Sequence, residues 1–262
     1  MTAAPEGQPH SLTVGVQSRA KTPSGEARPV RNYVPESPFG FWFLGTQTWE
    51  RRVVQATRDE VAGLIQTPRT SYPVVVDAGC GQGKALCMLS ERFNPRQMIG
   101  LDADLQGLAC ARKVALRNQL PVILVNGDCA MLPLPDSCAD LLFCHQTFHH
   151  LVHQERSLKE FHRVLKPGGV LLFAESTRAY INTWIIRFLF RHPMEVQKSA
   201  PEYLQMLRQA GFAFSQENVS LPYLWWSRAT WRGVLELLRL RRVPPPALRD
   251  ETLVYVAAFK TG

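Results

Sequence analysis

The sequence predicts an α/β domain in which a doubly wound, mostly parallel seven-stranded sheet carries helices on both faces. One observation is that, from Pro73 onward, short apolar runs alternate with segments of helical periodicity. These runs are apolar on both faces, as in parallel strands covered by helices. The length also agrees with a single α/β domain, because 262 residues of which 45% are hydrophobic can bury one full core.

The chain divides into an N-terminal tail and a single domain. Residues 1–36 are rich in Pro, Gly, Ser and Thr. They carry too little apolar surface to offset the entropy of ordering, so we expect a disordered or loosely ordered tail. The domain occupies residues 37–262. Its first part, residues 37–70, is predicted to be a lid in which an aromatic loop leads into one amphipathic helix.

The core of the domain is residues 73–176. Its predicted strands are VVVDAG, MIGLDA, PVILVNGD, ADLLFC and VLLFAES, and its predicted helices are GKALCMLSERF, QGLACARKVALRN and ERSLKEFHRVL. Residues 177–245 are aromatic and basic insertions, with one helix ended by Gly211 and a basic amphipathic helix over residues 223–242. Two late strands, FAFSQENVSLP and TLVYVAAFK, are expected to extend the sheet.

The turn DAGCGQG, residues 77–83, joins the first core strand to a helix. Glycine at such a turn lets the backbone approach a ligand, because a Cβ would fill the space. The third glycine comes two residues after the second, whereas the dinucleotide fingerprint G-x-G-x-x-G places it three residues later. Taken alone, the motif also fits a tight turn that binds nothing.

The motif resembles the nucleotide-binding motif of class I S-adenosylmethionine-dependent methyltransferases, in the small-molecule branch that includes ubiquinone and menaquinone methyltransferases. That family places an acid at the end of the next strand for the ribose hydroxyls, where Asp102 stands, and another after the third strand near the adenine, where Asp128 stands. The similarity covers residues 74–176 in order and spacing. It implies a Rossmann-like fold and S-adenosyl-L-methionine as the cofactor of a methyltransferase.

The cofactor contacts that this resemblance implies come from the glycine turn and from the ends of the following strands. They are Asp77, Ala78, Gly79, Gly81, Gly83, Asp102, Ala103, Asp128, Cys129, Cys144 and His145.

The segment CHQTFHHLVH, residues 144–153, contains four of the seven histidines. On a helix, His145, His149 and His153 would share a face, but no carboxylate or CxxC pair completes a ligand set, so no metal site is predicted. The resemblance places this segment between cofactor and acceptor. His149 and His145 are the candidate general bases, because an imidazole titrates near neutrality. Capping or packing of the next helix is the alternative role, and it is the prediction for His150.

Aromatic residues concentrate in the lid and the insertions, which predicts a small apolar or aromatic acceptor under a lid. The acceptor atom, O, C or N, is left open. Each ring taken alone also fits core packing. The predicted substrate-side residues are Phe39, Trp42, Gln146, Glu175, Arg178, Tyr180, Trp184 and Trp225.

The net charge of +8 is concentrated in the last third, where eleven Arg or Lys face four Glu between Arg178 and Arg249. An RNA or other nucleic-acid methyltransferase is therefore the alternative function. Nucleic acid is disfavoured as a partner, because CHQTF replaces the Asn/Asp-Pro-Pro-aromatic tetrad of many such enzymes. The basic helix fits either a membrane surface or solvent. A second alternative is a non-catalytic, cofactor-binding regulatory or partner-binding protein.

Localisation is predicted from what the sequence lacks. No apolar run reaches the ~18 residues of a spanning helix, and the N-terminus shows no signal-peptide pattern. The six cysteines contain no CxxC pair, as expected for reduced thiols. We therefore expect a cytoplasmic protein that can associate with a membrane surface, and the sequence makes no prediction of oligomeric state.

Overall fold

The computed structural model describes residues 32–262 and the backbone of residues 16–17. Most of the predicted tail, residues 1–36, therefore lies outside the described residues. The last five residues of that segment, 32–36, lie against the rest of the domain, where Asn32 is buried.

Nine strands of the described chain form one sheet. They are β1 (Val16–Gln17), β2 (Val74–Ala78), β3 (Gln97–Asp102), β4 (Val122–Asn126), β5 (Ala139–His145), β6 (Leu165–Ser176), β7 (Phe212–Ala213), β8 (Val219–Ser220) and β9 (Leu253–Lys260). Their order is β1-β4-β3-β2-β5-β6-β9-β7, with β8 also paired to β9. Strands β1 to β6 pair in parallel, and β9 is antiparallel to its three partners. The prediction of a doubly wound, mostly parallel sheet is confirmed. The count exceeds seven because β1 was not predicted and because the predicted strand FAFSQENVSLP is divided into the two-residue strands β7 and β8.

The helices of the described chain alternate with the strands as predicted. They are α1 (Pro38–Leu44), α2 (Gln47–Trp49), α3 (Gln55–Gly63), α4 (Leu86–Phe93), α5 (Leu105–Arg117), α6 (Gln154–Val164), α7 (Arg178–Ile181), α8 (Trp184–Leu189), α9 (Ala200–Gln209) and α10 (Trp231–Leu237). A π-helical turn, Glu50–Val54, joins α2 to α3. Short 3₁₀ turns lie at Phe148–His150, Met194–Val196, Gln216–Asn218, Trp225–Ser227 and Pro246–Leu248.

The sheet separates two hydrophobic cores. Successive residues of β2 belong to different cores, Val75 to the core with α3, α4 and α5, and Val76 to the core with α6 and α9. This alternation is the period-two geometry of a strand buried on both faces. A third, smaller cluster of Ile181, Ile186 and Ala229 joins α7 and α8 to the segment before α10. The insertions therefore pack on each other beside the sheet.

Two predicted elements differ from the structure. The aromatic segment at the start of the lid is not a loop but the helix α1, because Ser37 Oγ accepts a hydrogen bond from Gly40 N and Pro38 occupies the first turn. The predicted helix over residues 223–242 is only α10, which begins after the cap Thr230 and ends before Arg239, a residue with φ +60°. No helix of the described chain has the length and apolarity to cross a bilayer.

Candidate functional site

A cavity lies at the carboxyl ends of β2, β3, β4 and β5. The chain order of the sheet reverses between β2 and β5, and open α/β sheets bind ligands in the crevice at such a point. Two further segments close the cavity from above. They are residues 33–36 and the stretch from α1 to the π turn, which contributes Phe41, Leu44, Trp49 and Val54.

Most of the predicted cofactor residues line this cavity. They are Asp77, Gly79, Gly81, Asp102, Ala103, Asp128, Cys129 and His145. Ala78, Gly83 and Cys144 do not line the cavity. Ala78 and Cys144 are fully buried in the core on the α6 side of the sheet, because alternate strand residues face opposite ways. A Cβ on Gly83 would lie 2.8 Å from Ala111 Cα, so this glycine allows the turn to pack against α5.

The glycine turn approaches the cavity with its backbone. Gly81 has φ +49°, and a Cβ there would meet no atom within 4 Å, which leaves space for a ligand. Gly79 has φ +83°, and a Cβ there would collide with the Thr147 side chain. The two glycines therefore serve different purposes, since one leaves room for a ligand and the other lets the turn touch the chain after β5.

Asp102, at the end of β3, is held by two backbone groups. Gly81 N donates to its Oδ2 at 2.7 Å and Asp104 N donates to its Oδ1 at 2.8 Å. Burial raises the pKa of Asp102, and these hydrogen bonds partly offset that effect. A carboxylate has about four lone-pair sites, so it can accept two more hydrogen bonds, as a ribose diol requires.

Asp77 is a buried carboxyl group in β2. Its Oδ2 has no hydrogen-bond partner among the described residues. Burial, followed by the charge of Asp102, raises the pKa of Asp77 to about 8. An ammonium group would supply both the missing hydrogen bond and the opposite charge. The methionine end of S-adenosylmethionine carries such a group, so the residues fit the predicted cofactor.

Asp128, after β4, connects the cavity to the N-terminal segment. Its Oδ1 accepts hydrogen bonds from Asn32 Nδ2 and from Ala130 N, both at 2.8 Å. Asn32 also accepts a hydrogen bond from His153 N at 2.7 Å through its Oδ1. The segment that covers the cavity is thus fastened beside the predicted adenine position.

The opposite wall of the cavity is aromatic. It contains Phe41, Trp49 and Phe143. The ring of His145 lies parallel to that of Phe143 at 5.7 Å between centroids and 6.1 Å from that of Trp49. An ion pair of 2.9 Å between Lys84 Nζ and Glu50 Oε2 ties the glycine turn to the π turn above it. Phe41 belongs to the aromatic segment of the lid that the sequence placed on the substrate side, whereas Trp49 was not predicted there. Phe41 and Leu44 are three apart and so share a face of α1.

Of the predicted substrate-side residues, only Gln146 lines the cavity. Because α1 is helical, Trp42 points away from it and is 63% exposed, and Phe39 is also exposed. In the insertions, Trp184 and Trp225 are exposed. Tyr180 packs edge-on against Trp226, and Arg178 forms an ion pair with Glu202. The lid rings that line the cavity are Phe41, which is next to Trp42 in the chain, and Trp49.

Glu175, also predicted on the substrate side, is a buried support of the loop after β5. Its Oε1 accepts hydrogen bonds from Thr147 N at 3.0 Å and Phe148 N at 2.9 Å, and its Oε2 lies 2.7 Å from His149 Nδ1. Burial raises the pKa of Glu175 to about 7, and the two backbone hydrogen bonds oppose that effect.

The histidines do not share a helix face. His145 ends β5, His149 lies in the 3₁₀ turn, and His153 precedes α6. Burial lowers the pKa of His145 to about 4, and its Nε2 has no partner among the described residues. His149 is buried against Glu175 and does not line the cavity, whereas His150 does.

Comparison with known proteins places this site in a recognised domain. A methyltransferase domain family matches residues 76–173. The malonyl-[acyl-carrier protein] O-methyltransferase of Marinomonas sp. is 40% identical over 113 residues, which are 42% of this chain and 41% of that protein. A demethylmenaquinone methyltransferase of Deinococcus radiodurans is 35% identical over 132 residues, 50% of this chain and 51% of that protein.

A third relative, a probable S-adenosylmethionine-dependent methyltransferase of Mycolicibacterium smegmatis, is 33% identical over 156 residues, 59% of this chain and 58% of that protein. The chain therefore spans about half the length of the curated relatives that it matches.

Solved structures show the same fold at low identity. An S-adenosylmethionine-dependent methyltransferase from Aquifex aeolicus has 18% identity and a TM-score of 0.58, over 85% of this chain and 98% of that one. The [4+2]-cyclase SpnF has 21% identity and a TM-score of 0.59, over 81% of this chain and 83% of that one. A cyclase among the neighbours means that the acceptor chemistry has to be argued from the site itself.

Proposed function

The chain contains a class I S-adenosylmethionine-dependent methyltransferase domain, and we propose that it transfers a methyl group from this cofactor to a small apolar or aromatic molecule. The predictions of the family and of its cofactor, S-adenosyl-L-methionine, are confirmed by the domain match and by the relatives. The acceptor and the roles of individual residues are proposals.

The observation that carries the proposal is the division of one cavity into a polar end and an aromatic end. Asp77 and Asp102 lie at one end, and Phe41, Trp49 and Phe143 form the other. Binding sites for small molecules combine an apolar wall with a few polar groups in this way. The names of two relatives, for demethylmenaquinone and for phthiotriol dimycocerosates, agree with an apolar acceptor.

The bound cofactor supplies an activated methyl group on its sulfonium, so the protein mainly has to bind and orient the acceptor. Gln146 is placed for this, since it has φ +50° and its side chain is held by Ser176 Oγ, which donates to Oε1 at 2.6 Å. Its Nε2 has no partner among the described residues and can donate to an acceptor oxygen.

His145 is the better of the two candidate bases. It lines the cavity, and burial lowers its pKa to about 4, so the imidazole is neutral at physiological pH and can accept a hydrogen bond from an acidic hydroxyl such as a phenol. His149 is bound to Glu175 outside the cavity lining. We therefore assign His149 a supporting role.

Product profiling with labelled cofactor tests the proposal. Purified protein is incubated with methyl-labelled S-adenosylmethionine and a cell extract, which is then divided into organic-solvent, protein and RNA fractions. We expect label in the organic-solvent fraction. Label in RNA would replace the proposal with the nucleic-acid alternative, and binding of cofactor without any labelled product would favour the non-catalytic one.

Two neighbouring aromatic residues provide a matched control for the acceptor end. Phe41→Ala removes a ring from the cavity wall, whereas Trp42→Ala removes an exposed ring. Phe41→Ala removes about 1–3 kcal/mol of apolar contact with the acceptor. We therefore expect the KM for the acceptor to rise about 10-fold or more in this variant. Equal KM values in both variants would contradict the proposed aromatic wall.

We also propose a cytoplasmic location and a peripheral contact with a membrane surface. The predicted contact is the basic segment 223–242, in which Trp231 and Leu238 are exposed beside the exposed Arg239. In α8, Trp184 and Phe188 flank Arg187 in the same way, and exposed apolar groups beside arginines are typical of membrane-surface segments. We expect binding to anionic vesicles that weakens in Trp184→Ser. If the wild type does not bind the vesicles, this surface is a solvent-exposed face and not a membrane contact.

A further inference from the structure

Three histidines from two distant segments meet beside the cavity. His149 and His150 lie in the 3₁₀ turn after β5, and His192 follows α8. One ligating nitrogen from each ring lies within 4.8 Å of those of the other two. The ring centroids are 4.4, 5.1 and 4.7 Å apart.

Two carboxylates orient this cluster from outside. Glu175 Oε2 lies 2.7 Å from His149 Nδ1, which leaves Nε2 of that ring for another partner. Glu36 Oε1 lies 3.1 Å from His150 Nε2. Histidines that bind metals in proteins usually contact a carboxylate or carbonyl through the other ring nitrogen, which fixes the ring orientation.

Buried polar atoms without partners point to a missing ligand at the same place. Nδ1 of His150 and Nδ1 of His192 are both shielded from solvent and have no hydrogen-bond partner among the described residues. Unpaired nitrogens of this kind cost free energy that a bound group would recover.

The backbone around the cluster is already fixed. Gln197 is buried, and its Nε2 donates to His149 O at 2.8 Å and to Pro193 O at 2.9 Å. This side chain holds the two histidine-bearing segments together independently of the imidazoles. The cluster is therefore pre-organised, as a metal site requires.

We propose that His149, His150 and His192 bind a divalent transition-metal ion, with zinc as the best fit. Three imidazole ligands with one position open to water match the tetrahedral coordination of Zn²⁺. The nitrogens lie within 4.8 Å of one another, so shifts of up to about 1.4 Å bring them to the spacing of about 3.4 Å that Zn–N bonds require. Mg²⁺ and Ca²⁺ prefer oxygen ligands, so a set of three imidazole nitrogens does not suit either ion.

The ion would fasten the lid to the floor of the cavity. Glu36 precedes α1, His150 lines the cavity with it, and the segment with His192 contacts α1 through Phe190, whose ring lies 5.8 Å from that of Phe39. The sequence prediction of no metal site considered the helical spacing of His145, His149 and His153 and the lack of a carboxylate or CxxC pair to complete the ligand set. His192 is too distant in sequence to enter that pattern.

Cobalt spectroscopy on the tag-free full-length protein tests the site. After chelation and dialysis, Co²⁺ is added in the absence of cofactor, and the visible d–d absorption is followed for wild type, His192→Ala and the control His153→Ala. His153 is outside the cluster and its side chain is exposed. Thermal unfolding without metal checks that each variant folds.

We expect one equivalent of Co²⁺ to give an intense tetrahedral spectrum that Zn²⁺ displaces and that His153→Ala retains. His192→Ala should bind more than about 100-fold more weakly, and Glu36→Gln about 10–100-fold more weakly. Zn²⁺ should also raise the Tm of the wild type but not of His192→Ala. A wild type that binds Co²⁺ no better than His192→Ala, or a spectrum unchanged in that variant, overturns the proposal.

Discussion

The cofactor end of the cavity is made of residues directly at the carboxyl ends of three neighbouring strands, whereas the acceptor end is assembled from segments far apart in sequence. At the first end, both oxygens of Asp102 accept backbone hydrogen bonds. At the second end, a side-chain nitrogen of His145 and one of Gln146 have no hydrogen-bond partner among the described residues, and the rings come from α1, α2 and β5. The first end is fixed by the fold itself, and the second depends on how the lid closes.

This comparison predicts that a change at the acceptor end alters turnover without altering cofactor affinity. For His145→Ala we expect kcat to fall by about 10²–10⁴, the usual contribution of a general base, with a cofactor Kd within about 3-fold of the wild type. Fixed-time activity assays with the identified acceptor measure kcat, and calorimetry measures the cofactor Kd.

The pH profile sharpens the same prediction. Because burial lowers the pKa of His145 to about 4, the ratio of kcat/KM between wild type and His145→Ala should stay constant as the pH falls through 6.5 and decline only near pH 4. A ratio that changes near pH 6.5 would contradict the lowered pKa, and an unchanged kcat in His145→Ala would contradict a role for this imidazole as the base. His153→Ala is the control.

The two glycines of the turn should respond to alanine in different ways. Gly79→Ala introduces a collision with Thr147 at φ +83° and should destabilise the protein by about 2–4 kcal/mol. Gly81→Ala meets no atom, so it should cost only about 1 kcal/mol of folding stability but weaken cofactor binding. Urea unfolding and calorimetry of both variants make the comparison. Equal destabilisation of the two would mean that Gly81 is as packed as Gly79.

Asp77 should make the free protein less stable as the pH rises. Its pKa is raised from 3.8 to about 8 in the folded state, so between these values the folded chain holds a proton that the unfolded chain has released. The contribution of Asp77 to stability is therefore greatest below pH 4 and falls by up to about 1.4 kcal/mol per pH unit until about pH 8. Asp77→Asn should remove this slope, raise the Tm at pH 8 and weaken cofactor binding. The exposed Asp59→Asn is the control, and a Tm difference independent of pH would refute the burial argument.

Most of the predicted cofactor residues lie together at the cavity because their geometry is local. Asp102 follows a strand, and parallel strands end at one edge of the sheet, so position along the chain is enough to place its carboxylate. Gly83 was mistaken for a ligand contact because the motif does not show that α5 packs against it.

The acceptor end was harder to predict because it depends on helix register and long-range packing. The sequence could not separate the cavity-lining Phe41 from the exposed Trp42, since a segment taken as a loop has no inward face until Ser37 caps it as a helix. The helix over residues 223–242 was predicted too long, because leucines and arginines continue at helical spacing past Arg239, where the backbone turns left-handed.

Calorimetric titration of S-adenosylmethionine into wild type and Asp102→Ala tests the central claim most directly. We expect one cofactor per wild-type chain and an affinity at least about 100-fold lower in Asp102→Ala, because two hydrogen bonds to a charged group contribute about 1.5–3 kcal/mol each. The exposed Asp59→Ala should bind like the wild type. A wild type that binds no cofactor, or an Asp102→Ala variant that binds with wild-type affinity, would contradict the account.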